Sequence, residues 1–176
     1  MDERRSRHPF HMYDAIFAQP EAFIRARDQR RENWRDNKEV MEQTIPIFRA
    51  LIASDPEKRF HRNHGQLGYA LKDQRTPAWS QAEAELSEAI TIRGNPGSNY
   101  HLYEANRAIC RIEQDPMLTQ GRPSAPETKG AILADLRVAS MHSVTWDRLM
   151  RREWFPMVHR WAEVNNVNLQ DLRPSA

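Results

Sequence analysis

Side chains at spacings of three and four recur along most of the chain, and they sort into separate stripes. Phe60, His64, Leu67 and Leu71 form one, Ala82, Leu86, Ala89 and Ile90 a second, and Leu102, Ala105, Ile109 and Ile112 a third. That period places each set on one side of an α-helix, so the pattern predicts amphipathic helices over 56–73, 81–93 and 99–113. Upstream, Ile45, Phe48, Leu51 and Ile52 repeat the pattern around Pro46, which should either start that helix or kink it, because proline cannot donate to the helical ladder. Downstream, Ile132, Leu136 and Ala139 continue it. Trp146, Leu149, Trp154, Val158 and Trp161 make a last apolar series, interrupted by Pro156, which predicts a broken terminal helix.

Local chemistry marks where these helices should begin. Asp55-Pro56-Glu57 sets an acid at the N-cap before a first-turn proline, whose missing N–H costs nothing there, so a helix is expected from about residue 56. Ser80-Gln81-Ala82-Glu83 and Ser124-Ala125-Pro126-Glu127 both read S-x-x-E, in which hydroxyl and carboxylate satisfy two backbone N–H groups of a first turn. Trp79 can pack back on the first of these as an apolar staple. Gly94-Asn95-Pro96-Gly97-Ser98 supplies a stop followed by another cap.

Aligning the second helices on their packing positions exposes a loose repeat. Thr44, Phe48 and Leu51 match Ala82, Leu86 and Ala89, which match Ile132, Leu136 and Ala139, each at spacing four then three. The chain therefore reads as all-α, built from stacked antiparallel helical hairpins. Within it Leu67-Gly68, Leu71, then Ala82, Leu86, Ala89 and Pro96 resemble the tetratricopeptide repeat, over about residues 59–97 and more weakly over 37–56 and 99–140. The resemblance implies a small residue where the two helices of a hairpin cross, hairpins stacked into a right-handed superhelix, and a concave face that holds peptides. The connection from Asp73 to Trp79 and the 114–126 loop are longer than the family's, and the triplets do not hold its period of about 34 residues. These departures favour about three degenerate hairpins closed by a C-terminal capping helix.

Composition narrows the picture. A chain of 176 residues is one domain in size, and 26 Lys+Arg against 24 Asp+Glu leave a net charge of only +2. Apolar residues make up 39%, so the core should be thin, and six glycines are too few for a turn-rich sheet protein. The single cysteine, Cys110, excludes an internal disulfide and every CxxC motif, which points to a reducing, cytoplasmic setting. No run approaches the roughly 18 apolar residues of a membrane span, and MDERRSRH is not followed by an apolar leader segment. The first eight residues and 165–176 carry too few apolar groups to offset their ordering entropy. One domain is thus expected over 13–164, between a flexible segment 1–12 and a flexible tail 165–176.

Candidate chemistry is sparse. His61 and His64, or His8, His11 and Asp14, have spacings that could supply metal ligands, but no HExxH, cysteine cluster or acidic third ligand accompanies either set. His64 is expected to be half-buried and His61 exposed, and no metal or cofactor is expected. Cys110 sits between Ile109 and Ile112 on a packing face, as a structural thiol would, and no G-x-S-x-G elbow or phosphate-binding loop is present. No catalytic residue is assigned. Arg25, Arg27, Arg30, Arg31 and Arg35 surround Trp34, and Arg148, Arg151 and Arg152 approach Trp154, a pairing of cations and aromatics that can bind nucleic acid. Acids interleave with both runs, however, as on a solvated helix face, and this argues against that partner.

One stripe points elsewhere. Tyr100, Tyr103, Arg107 and Arg111 succeed one another at three, four and four, opposite the apolar side of helix 99–113, and both residue types are enriched at binding hot spots. In the resembled family the first helix of each hairpin lines the groove, which implies that this stripe and Arg62, Asn63 and Gln66 contact a partner. The competing expectation is that the tyrosines pack against the preceding hairpin while the arginines snorkel. Asn106, beside Leu102 and Ile109, is expected to tie its helix to a loop. Together these features read as a non-catalytic module that binds a protein or peptide. The alternatives are a nucleic-acid-binding accessory domain and an enzyme with an unrecognised site.

Overall fold

The structure is a computed structural model and describes residues 20–95 and 101–173. Among them there is no strand. The helices are α1 (Pro20–Asn33), α2 (Lys38–Ala53), α3 (His61–Asp73), α4 (Trp79–Arg93), α5 (Leu102–Glu113), the single turn α6 (Pro116–Thr119), α7 (Pro126–Ser140), α8 (Ser143–Leu149) and α9 (Pro156–Val164), followed by a 3-10 turn, Leu169–Leu172. Each packs on its neighbour in sequence: α1 on α2, α2 on α3, α3 on α4, α4 on α5, and α5 on α7. This is the stacked-hairpin arrangement that the spacing predicts.

The crossing of α3 and α4 rests on a missing side chain. A Cβ on Gly68 would lie 2.7 Å from Leu86 Cγ and 3.2 Å from the Ala82 carbonyl oxygen, so only glycine lets these backbones approach so closely. Ala82, Leu86 and Ala89 are fully buried against it. Two apolar cores result. The first gathers Phe48, Leu51, Leu67, Leu71, Leu86 and Tyr103 among others, and the second Ile109, Ile112, Ile132, Leu136, Trp146, Trp161 and Leu169.

Several boundaries differ from the sequence expectation because the capping groups are used otherwise. Helix α3 begins at His61, not 56. Asp55 closes a turn, its carboxylate accepting from the Phe60 N–H at 2.8 Å while Lys58 takes a left-handed φ of 51°. Helix α4 begins at Trp79 after Ala78, which puts Ser80 inside the first turn, where it makes no cap. Helix α7 begins at Pro126 after Ala125, again without a side-chain cap. Ser124 is buried elsewhere: its N–H donates to Asn165 Oδ1 at 3.0 Å and its hydroxyl accepts from Trp161 Nε1 at 2.9 Å. Pro46 neither starts nor ends α2, which runs through it. Pro156 opens α9, so the terminal helix is broken into α8 and α9 as expected.

Residues 165–173, read from the sequence as part of a flexible tail, are packed. Asn165 and Leu169 are buried, Lys129 Nζ donates to the Asn165 carbonyl at 2.8 Å, and Ser140 Oγ donates to the Leu172 carbonyl at 2.6 Å. Few apolar side chains suffice here because hydrogen bonds to α7 hold the segment. The segment 1–12 lies outside the described residues.

Candidate functional site

Helix α5 joins the two cores, with Tyr103 and Cys110 in the first and Ala105, Ala108, Ile109 and Ile112 in the second. Its tyrosine does not face a groove. Tyr103 is 1% exposed, and a Cβ on Gly65 would fall 2.2 Å from its Cε1, so the ring lies flush on the α3 backbone. Its hydroxyl is 2.8 Å from His61 Nδ1, and the Arg93 guanidinium stands 5.6 Å from its centroid. Packing against the preceding hairpin, the competing expectation, is what the structure has. His61, expected to be exposed, is half-buried, and desolvation, with Arg62 and Arg93 nearby, pushes its imidazole down to about 4.

The arginines of the stripe are not free to snorkel either. Arg107 grips Asp135 of α7 with two prongs, Nε to Oδ2 at 3.0 Å and Nη2 to Oδ1 at 2.7 Å, and reaches Ser87 Oγ of α4 at 3.1 Å. Arg111 donates to Glu83 of α4 at 2.8 Å, to Asp135 at 2.8 Å and to the Ala131 carbonyl at 3.2 Å. Three helices are thereby cross-linked by one polar spine. Burial alone would depress Arg107, but the hydrogen bonds and charge of Asp135 outweigh it and hold the guanidinium above its ordinary value.

The remaining stripe residues divide. Asn63 and Gln66 are buried, and Gln66 Oε1 accepts from the buried Arg30 Nε at 2.6 Å, so neither presents a contact surface; Arg62 is half-buried. Tyr100 lies outside the described residues. Asn106 donates to the Leu102 carbonyl of its own helix at 2.7 Å, not to a loop. His64 is buried with Nδ1 2.7 Å from Glu85 Oε2. Cys110 is fully buried, and desolvation pushes its thiol up to about 12 against the opposing charge of Lys72, so it is protonated at neutral pH. Among the described residues no three His, Cys, Asp or Glu side chains are grouped to hold a metal; His8, His11 and Asp14 lie outside them. No helix among them is long and apolar enough to cross a membrane.

Clefts open on the surface of the described residues, two of them at helix ends. One, of about 390 Å³, lies where α4, the end of α5 and the start of α7 meet, and Arg111 lines it together with Glu83, Gln114, Asp115, Glu127 and Thr128. The other, of about 560 Å³, runs between α6 and α9 and is lined by Leu118, Pro156 and Met157 with Arg152, Arg160 and Glu163. Neither was legible in the sequence, because each is assembled from the ends of helices distant along the chain.

The structure also merges two features that the sequence keeps apart. Trp34, just after α1, stacks on Phe155 at 6.2 Å and 8°, and meets Trp154 edge-on at 6.3 Å. Arg35 and Arg151 lie over the Trp154 ring at 5.0 and 4.3 Å. Among the described residues neither arginine has a carboxylate within ion-pair distance, whereas Arg152 is paired with Glu163. Comparison with protein-family models, with curated proteins and with solved structures gave no match.

Proposed function

We propose that this chain is a non-catalytic helical-hairpin module that binds a protein or peptide segment, and that its contact surface is the cleft between α4, α5 and α7. The observation that carries the reading is Arg111. It is one of the residues that the resemblance to tetratricopeptide repeats assigns to the partner groove, and it lines this cleft. The polar spine behind it fixes the cleft walls before any partner arrives, which lowers the ordering cost of binding. A photo-crosslinking residue at Thr128, on the cleft rim, should capture a discrete partner segment from native lysate, with none captured from Ser54 at the far end of α2. Equal capture from both positions, or none, refutes the assignment.

A second reading, a nucleic-acid-binding accessory surface, is supported by the convergence of Trp34, Trp154 and Phe155 with two arginines that lack carboxylate partners among the described residues. Its signature is salt: quenching of tryptophan fluorescence by a single-stranded oligonucleotide that weakens steeply as salt rises. We expect no quenching at micromolar protein in about 0.1 M salt, since Glu32, Asp36, Asp147 and Glu153 accompany these arginines in sequence.

A further inference from the structure

Helix α8 is held at its start by an imidazole. His142, between α7 and α8, accepts the Thr145 N–H on its Nδ1 at 3.2 Å, and the Thr145 hydroxyl lies 3.0 Å from the same atom. A backbone amide can only donate, so Nδ1 carries no proton while this cap stands. A protonated Nδ1 can reverse the hydroxyl contact and donate to it, but it leaves the amide of the buried Thr145 without its acceptor. His142 is half-buried, so solvent can deliver that proton.

The surroundings offer the added charge no compensation. The ring of His101, at the entry to α5, stands 5.7 Å from that of His142. His101 is 3% exposed and its Nδ1 has no hydrogen-bond partner among the described residues, so an imidazolium there would be both desolvated and unpaired. Burial pushes His101 below the ordinary histidine range; Glu104 opposes the shift, while His142 and Arg93 add to it. Glu104 of α5 is already engaged by Arg93 of α4 at 3.0 Å, Asp135 of α7 by Arg107 and Arg111, and Asp147 of α8 by Arg173 at 3.0 Å. Arg137 of α7 and Arg148 of α8 are cations and supply no counter-charge.

The corner is also weakly held. Helix α8 has only seven residues, and Met141 and Val144 at its start are 63% and 53% exposed, so little covers it from outside. Its Trp146 is sealed in the second core with an indole N–H that has no acceptor among the described residues, a cost that hydration on opening relieves. We propose that the α7–α8 corner is an acid-sensitive latch: neutral His142 holds α8 closed, and a proton on its Nδ1, beside His101, frees α8 and uncovers Trp146. The closed corner disfavours a proton on His101 and has no place for one on His142 Nδ1, so closure is full above the ordinary histidine value of 6.5 and weakens as pH falls below it.

The test is hydrogen exchange of the full chain, read by NMR as protection factors at about pH 7.5 and about pH 5.5 after correction for the intrinsic rate. The reporters are the Thr145 amide and those of Trp146 and Met150, which donate to the His142 and Trp146 carbonyls at 2.9 Å. In the wild type their protection should fall about tenfold at the lower pH. His142→Asn caps through an amide oxygen that does not titrate, and should hold protection within about threefold across the same step. His142→Ala has no cap at either pH and should be poorly protected at both. Equal wild-type protection at the two pH values overturns the proposal, as does a fall in His142→Asn as large as in the wild type, or a His142→Ala chain as well protected as the wild type at the higher pH.

Discussion

The two cores are built by opposite means. The first, around α3 and α4, is made close by absence: Gly65 and Gly68 have no side chain, and Tyr103 and Leu86 occupy the space. Every residue of α3 from Asn63 to Asp73 is buried, polar ones included, and several of the polar side chains pair with a neighbour, Gln66 with Arg30, His64 with Glu85 and Lys72 with Asp73. The second core, around α8 and α9, is made close by bulk. Trp146 and Trp161 are both essentially sealed on helices of only 7 and 9 residues, too short to be stable alone. A long helix packed on its sequence neighbour tolerates small residues at its crossing. Short helices hold only when large aromatics and specific hydrogen bonds anchor them.

That contrast can be broken first in the second core. Trp161→Ala removes a fully buried indole and its bond to Ser124, and should cost about 3–5 kcal/mol in chemical denaturation, with residues 165–173 released. The joint between the cores comes next. Asp135→Ala leaves Arg107 and Arg111 without their shared carboxylate, and should cost about 3 kcal/mol; a small loss would mean that the spine is surface decoration. In the first core, Gly65→Ala drives a methyl into Tyr103 and should cost about 1–3 kcal/mol. Gly130→Ala, on α7 with nothing within 4 Å of the new Cβ, should instead stabilise by up to about 1 kcal/mol.

The first core should also carry a pH dependence, comparable in size to the effect of Gly65→Ala. His61 is held near 4 in the fold against 6.5 for an ordinary histidine. Between those values the unfolded chain binds more protons than the native one, so stability rises with pH across the window and is lost as pH falls from 6.5 toward 4. Discounted for partial exposure, the swing is about 1–2 kcal/mol. His61→Gln should flatten that part of the stability curve.

How much of this was legible in the sequence follows from the same contrast. The Gly68, Ala82, Leu86 and Ala89 crossing was readable because its residues lie on adjacent helices, where periodicity reports packing directly. The capping signals at Asp55 and Ser124 mislead because each group serves another purpose, Asp55 closing the turn before α3 and Ser124 serving Trp161 and Asn165 far along the chain, while Ser80 falls inside the first turn of α4. Spacing places Tyr103, Arg107 and Arg111 on one face, but it cannot say what covers a face. Asp135, which accepts from both arginines, lies 28 residues from Arg107. Trp34 and Trp154 each stand out in the sequence within an arginine run, yet nothing local in either run encodes their meeting.

The account turns on whether the α5 stripe holds the fold together or waits for a partner, and Tyr103→Ala decides it by thermal melting of the isolated chain. Flush against Gly65 and bonded to His61, the ring should be worth about 3–5 kcal/mol, which for a chain of this size lowers the melting temperature by about ten degrees. A variant that melts with the wild type would contradict the account and return Tyr103 to a partner-facing groove.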